Sequence, residues 1–342
     1  MASPKVTLAA IQAQIEEWLG SQSASGNEGL IAEMIGTVLK LSGDDTSRGD
    51  LKILNRALKE LRHAYRIFAP YKGVRKVSIF GSSRVREDEN IYQMTRELAR
   101  RLAEENFMII TGAGPGIMQA GHEGAGREHS FGVNIRLPSQ QKANRFIDGD
   151  PKLMSFHFFF TRKLIFVKQA DAVVVFPGGF GTQDELLEAI TLAQTGKAQL
   201  VPLILMDQPS GTYWQEWQDF FRTAVLSRGY ITEEEMGFVK IIDDVEAAVG
   251  EIKTFYRNYH SYRYVKRDLV IRLRCPPTPS LIERLSREFR DILREAPVRR
   301  TERLPEESDD PETLHLYRLL VPFNQIDFAR LRQMIDVINR EN

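Results

Sequence analysis

Cysteine is all but absent: Cys275 stands alone in 342 residues. That excludes an intrachain disulfide and any zinc site built on cysteine pairs, and it fits a reducing compartment. Net charge is absent too, with 46 Lys and Arg against 46 Asp and Glu. Holding nucleic acid through a general basic field takes clustered, uncompensated cations, so no nucleic-acid partner is expected. Long apolar runs are missing: none approaches the roughly 18 residues that span a bilayer, and the first twenty residues carry Glu16 and Glu17 where a signal peptide would be apolar. A cytoplasmic protein without a membrane partner is the expectation. The six histidines (His63, His122, His129, His157, His260 and His315) show no metal-ligand spacing, so neither a metal nor a cofactor is expected. What remains is an ordinary globular composition, 42% hydrophobic and 27% charged, long enough for two or three folded units at roughly 100 to 200 residues each.

The pattern along the chain changes twice. Residues 1–73 read as a helical segment, with helices over 7–19, 30–41 and 50–68. In the last of these Leu51, Leu54, Leu58, Leu61 and Tyr65 make one apolar stripe, which predicts packing in a core or interface. From residue 74 to 260, short near-continuous apolar runs (77–80, 107–111, 132–137, 172–176, 200–206 and 238–242) alternate with amphipathic stretches. That pattern predicts an α/β, doubly wound parallel sheet of Rossmann-like form, covered on both faces. Ligands then sit beyond the carboxyl ends of the strands, which directs attention to the loops after Phe80, Thr111 and Phe176. Residues 261–342 read as a small βαβα-like unit, too little to close a core by itself. The basic residues Lys240, Lys253, Arg257, Arg263, Lys266 and Arg267 read as a solvated face, with a polyanion site as the alternative.

Each of the three loops carries glycine. After the first strand come Gly81, Ser82, Ser83 and Arg84: a tight turn, two hydroxyls and a guanidinium able to pair with an anion, or a plain polar turn. After the second come Gly112, Gly114, Pro115 and Gly116, then Ile117 at the place where a dinucleotide fingerprint needs its last glycine. No acidic residue ends the next strand, and Gly-Lys-Ser/Thr is missing, so neither a nicotinamide dinucleotide nor a Walker loop fits. After the third comes Pro177-Gly178-Gly179-Phe180-Gly181-Thr182-Gln183-Asp184-Glu185. Thr182 and Glu185 have the spacing of a capping box, which would explain both without chemistry. The extra glycines instead suit an anion at a helix N-terminus. Upstream, Arg162 and Lys163 put two cations near a helix start, against the macrodipole, which indicates an anionic partner or a solvated helix end. His122 and Glu123, just past the second loop, read as helix surface, with approach to a ligand as the alternative, and Cys275 as an incidental thiol.

Taken in order, Gly81 to Arg84, Thr111 to Met118, Arg162-Lys163 and Pro177 to Glu185 resemble the LONELY GUY (LOG) family of phosphoribohydrolases, long labelled lysine decarboxylases, whose signature is PGGxGTxxE with an Arg-Lys pair upstream. The resemblance covers about residues 74–255. It implies hydrolysis of the N-glycosidic bond of a nucleoside 5'-monophosphate, AMP or an N6-modified AMP, with Arg162 and Glu185 catalytic. The substrate would be held by Ser82, Ser83, Arg84, Gly112, Gly114, Gly116, Lys163, Gly178, Gly179, Gly181, Thr182 and Glu188. It also implies a homodimer or higher homo-oligomer. A non-catalytic nucleotide carrier is the alternative. Phe159, Phe160 and Thr161 precede Arg162 where plant-type members have Met-His-x, and the terminal segments lie outside the compact plant-type enzyme.

Overall fold

The computed structural model describes residues 8–22, 26–137, 142–307 and 310–341. The chain divides into two compact units, residues 1–62 and 63–342. The first holds α1 (Leu8–Gln22), α2 (Glu28–Lys40) and the start of α3 (Arg48–Phe68). The α3 stripe expected to be packed is open: Leu51, Leu54, Leu58 and Tyr65 are all exposed.

The second unit begins with alternating strands and helices: β1 (Lys76–Phe80), α4 (Asn90–Glu104), β2 (Met108–Thr111), α5 (Ile117–Ala125), β3 (Ser130–Ile135) and β4 (Leu153–Phe156). It continues through α6 (Phe159–Gln169), β5 (Ala172–Val175), α7 (Phe180–Gln194), β6 (Leu203–Met206), α8 (Tyr213–Ala224), α9 (Glu233–Met236), β7 (Val239–Ile242) and α10 (Val245–Phe255). The seven strands form one sheet in the order β4-β3-β2-β1-β5-β6-β7, every pairing parallel. This is the doubly wound architecture anticipated from the alternation.

The strands are apolar on both faces because both faces are covered. Val173, Val175, Leu203 and Leu205 enter one core, while Ala172, Val174, Ile204 and Met206 enter the other, with Leu98 and Leu102 of α4 and Val249 and Ile252 of α10. The chain runs outward from β1 to β4 and then returns to place β5 on the other side of β1. The switch point therefore lies between β1 and β5, and the crevice it opens is framed by the loops after β1, β2 and β5.

The C-terminal part differs from its sequence reading. Instead of two βα units it is a four-stranded antiparallel sheet, order β10-β11-β9-β8. Its elements are β8 (Tyr259–Val265), β9 (Asp268–Leu273), α11 (Pro279–Glu288), β10 (Arg299–Thr301), β11 (Tyr317–Val321) and α12 (Phe328–Arg340). Strand β8 buries Tyr259 and Tyr262 on one face, where a bulge at Tyr259/Ser261 lengthens the step from two residues to three, and Val265 on the other. The hairpin to β9 turns on Lys266 (φ 55°) without a glycine to mark it. Leu269, Ile271, Leu319 and Ile335 of this sheet and its helices share one core with Leu186 and Ala189 of α7. In the basic stretch, Lys240, Lys253 and Lys266 are paired with Glu251, Glu105 and Glu306.

Candidate active site

The three glycine loops converge on a cleft of about 720 Å³ at the carboxyl edge of β1, β2 and β5. Ser82, Ser83, Arg84, Gly112, Arg162, Gly178, Gly179, Gly181, Thr182 and Glu185 all line it. Residues separated by a hundred positions meet because the strands that deliver them are neighbours at the switch point. The loops are also tied to each other: the Ser82 N–H donates to the Pro177 carbonyl at 3.0 Å and the Ile117 N–H to the Ser82 carbonyl at 3.1 Å. Gly116 (φ 67°) serves that junction, since a Cβ there would lie 2.4 Å from the Ser82 carbonyl oxygen. Gly114 and Gly116 are outside the lining of the cleft.

The helix α7 starts earlier than a capping box would require. Its N-cap is Gly179, in extended conformation and without a side-chain cap, so Thr182 and Glu185 sit inside the first two turns, both buried. A capping box does occur elsewhere, at α9, where Thr232 and Glu235 exchange hydrogen bonds of 3.3 and 2.7 Å. The capping explanation of Thr182 and Glu185 is thereby removed. What opens α7 is a glycine turn whose leading N–H groups, at Gly179, Phe180 and Gly181, have no partner in the helix, and these three residues line the cleft.

On the cleft wall, Arg162 of α6 donates through Nη2 to Glu185 Oε1 at 3.3 Å, and both side chains are buried. Burial pushes the Glu185 carboxyl up to about 7 even though Arg162 and Lys163 pull it down. Burial likewise lowers Arg162 from its ordinary value, against the attraction of Glu185. The guanidinium lies over the rings of Phe159 and Phe166, at 5.0 and 5.6 Å, and its Nε makes no hydrogen bond. A buried, half-satisfied cation beside a carboxyl poised near neutrality is a combination that favours chemistry over plain structural pairing. Lys163 has a different role: its ammonium sits between Asp184 (2.8 Å) and Glu188 (2.5 Å) of α7. It thus joins α6 to α7, and neither Lys163 nor Glu188 lines the cleft.

His122 corrects the reading of a helix-surface residue. It is fully buried beneath the second loop, with Nε2 3.0 Å from Thr111 Oγ1 and 3.1 Å from the Phe131 carbonyl. Asn144 completes the support, lying 3.1 Å from His122 Nδ1 and donating to the Gly114 carbonyl at 3.0 Å. Burial lowers the imidazole to about 4, so it is neutral at ordinary pH. Glu123 pairs with Tyr92 and Arg96. The lining residues that sequence reasoning missed are Met118, Ile135, Phe166 and Tyr213. They are apolar or aromatic residues on regular elements, and nothing in their spacing separates them from core.

Among the described residues no group of three or more His, Cys, Asp or Glu could hold a metal, and no helix is long and apolar enough to cross a membrane.

Residues 115–252 match a family model described as "Possible lysine decarboxylase". The chain is 34% identical over 129 residues to the cytokinin riboside 5'-monophosphate phosphoribohydrolase LOG2 of Arabidopsis thaliana, covering 36% of this chain and 58% of that protein. It is 31% identical over 147 residues to the pyrimidine/purine nucleotide 5'-monophosphate nucleosidase of Escherichia coli K12, covering 40% of this chain and 30% of that one. The matches thus span between about a third and three fifths of these relatives' lengths. Among solved structures, a molybdenum cofactor carrier protein from Chlamydomonas reinhardtii superposes with a TM-score of 0.38 at 18% identity, over 53% of this chain and 96% of that one. In its ordered glycine motifs and in these sequence relatives, the segment 115–252 is similar to the LOG phosphoribohydrolases and to the nucleotide 5'-monophosphate nucleosidase.

Proposed function

We propose that the protein hydrolyses the N-glycosidic bond of a nucleoside 5'-monophosphate, AMP or an N6-modified AMP, to free base and ribose 5-phosphate. One observation carries this reading: the buried Arg162–Glu185 pair stands in the wall of the same cleft as the turn that bears the unpartnered N–H groups of Gly179, Phe180 and Gly181. The turn suits a dianionic phosphate. With the phosphate there, the ribose extends toward Glu185. As the bond from C1' to the base nitrogen breaks, its electron pair leaves with the base, which takes up a proton from solvent, and positive charge develops on the ribose. The Glu185 carboxylate stabilises that charge and accepts a proton from the water that adds to C1'. Arg162 holds the carboxylate in place. A carrier would need the phosphate turn but no carboxyl held near neutrality beside it.

The test is a panel of purine and pyrimidine nucleoside monophosphates, scored by chromatography for released base. Adenine release from AMP is expected, with kcat/KM rising with pH to a plateau above about 7. The sign follows from the role: the active form is the carboxylate, and its raised value makes it scarce in acid, so the rate drops about tenfold per unit below that point. No base release from any monophosphate would leave the carrier reading instead.

A second copy of the chain is proposed to cover the cleft rim. Phe180 of α7 lines the cleft and is 98% exposed, and Phe159, Phe160 and Leu164 of α6 are exposed as well; exposed large apolar side chains of this kind mark an interaction surface. Sedimentation at micromolar concentration is expected to give a dimer or larger assembly. A monomer would remove this part of the proposal.

A further inference from the structure

The phosphate-binding turn has a support that neither the family motifs nor the cleft chemistry accounts for. Tyr213, the first residue of α8, donates its hydroxyl hydrogen to the Gly178 carbonyl at 2.5 Å. The same oxygen accepts from Gln183 Nε2 at 2.8 Å, and Gln183 Oε1 accepts from Trp217 Nε1 at 2.9 Å. The base of this chain of bonds is fixed, since Trp214, fully buried, donates from its indole to the Met206 carbonyl at 2.9 Å and pins α8 to the edge of β6.

The consequence lies in peptide geometry. A trans peptide is planar, with its C=O and N–H on opposite sides, so fixing one fixes the other. Holding the Gly178 carbonyl toward Tyr213 turns the Gly179 N–H the opposite way, and the Ser82 bond to the Pro177 carbonyl does the same for the Gly178 N–H. Without such ties, consecutive glycines would sample many orientations, and ordering them would be charged against ligand binding. We propose that Tyr213, Gln183 and Trp217 form a positioning relay that holds the glycine turn in its anion-binding shape before the ligand arrives. The relay rests on the reading that this turn takes the 5'-phosphate.

The experiment is calorimetric binding of ribose 5-phosphate, and separately of adenine, to the wild type, Tyr213→Phe and Trp217→Phe. Tyr213→Phe keeps the ring and deletes the bonds to Gly178 and Gln183. Its Kd for ribose 5-phosphate is expected to rise about five- to tenfold, the worth of roughly one to one and a half neutral hydrogen bonds, while adenine affinity is unchanged. In turnover, KM for AMP rises by a similar factor and kcat moves less than twofold. Trp217→Phe, one bond further out, shifts the same quantity in the same direction by less. The relay is overturned if Tyr213→Phe binds ribose 5-phosphate like the wild type, or if adenine affinity falls in step with it, which would indicate general loosening. The hydrolase reading fails separately: a wild type that binds ribose 5-phosphate but releases no base from any monophosphate leaves the relay standing and removes the reaction.

Discussion

Glu185→Gln is expected to abolish release of base from AMP while leaving the fold intact. The expected fall in kcat is about a hundred- to ten-thousandfold, the range associated with loss of a positioned acid–base group. The amide still accepts from Arg162 at the 3.3 Å contact, but it can neither stabilise positive charge on the ribose nor take a proton from water. Stability should change little because two effects oppose each other. The wild-type carboxyl is raised to about 7 by burial, so its ionised form costs stability; that cost is present above pH 7 and lost as the group protonates in acid. Gln removes the cost but leaves the Arg162 charge with a neutral partner. A Tm within a few degrees of the wild type is expected at pH 8. Arg162→Ala should lose turnover as well. If Glu185→Gln releases adenine at the wild-type rate, the assignment of Glu185 as the reacting carboxylate is wrong.

The parallel sheet and the glycine loops that frame its cleft were legible in sequence for one reason: both are written locally. Buried parallel strands give unbroken apolar runs such as Ala172 to Val175, and each ligand-facing loop follows its strand directly, so Gly81, Gly112 and Gly178 announce themselves. What depends on distant neighbours was not legible. The spacing of Thr182 and Glu185 is that of a capping box, and only the position of the N-cap at Gly179 shows that none forms. Lys163, from the Arg-Lys pair of the resemblance, and Glu188, one turn after Glu185, pair with one another across α6 and α7, a contact that no spacing shows. His122 carries no spacing signal, because its partners Phe131 and Asn144 come from β3 and from the loop beyond it. Strand β8 was hidden by its bulge, and with it the antiparallel sheet.

That second sheet supplies the largest stability effect expected from a single substitution. Glu307 is fully buried, with Oε1 accepting from Arg272 Nε at 2.9 Å and Oε2 from Arg318 Nε at 2.8 Å and the Leu304 N–H at 3.1 Å. Arg272 and Arg318 stand opposite each other on β9 and β11 and are themselves buried. The carboxylate therefore neutralises two guanidinium groups; Asp310, 2.7 Å from Arg272, is the further anion. Removing one member of such a cluster leaves uncompensated buried charge, so Glu307→Ala is expected to cost about 3 to 5 kcal/mol, read as a lower urea midpoint. Glu307→Gln, which keeps an acceptor but no charge, should cost less. The pH dependence has a definite sign. Burial pushes the Glu307 carboxyl up, but the bonds from Arg318, Leu304 and Arg272 outweigh it and hold it below the ordinary value. Its stabilisation is thus complete above about pH 5 and fades as pH falls through the folded value, so the gap between wild type and Glu307→Ala should narrow below about pH 4. Equal midpoints at pH 7 would show that the cluster adds nothing. Because Glu307 is outside the cleft lining, the variant should turn over AMP normally while folded. Because Leu269 and Ile271 of its sheet share a core with Leu186 of α7, the helix that carries Glu185, turnover should be lost in the same urea transition that melts the second sheet.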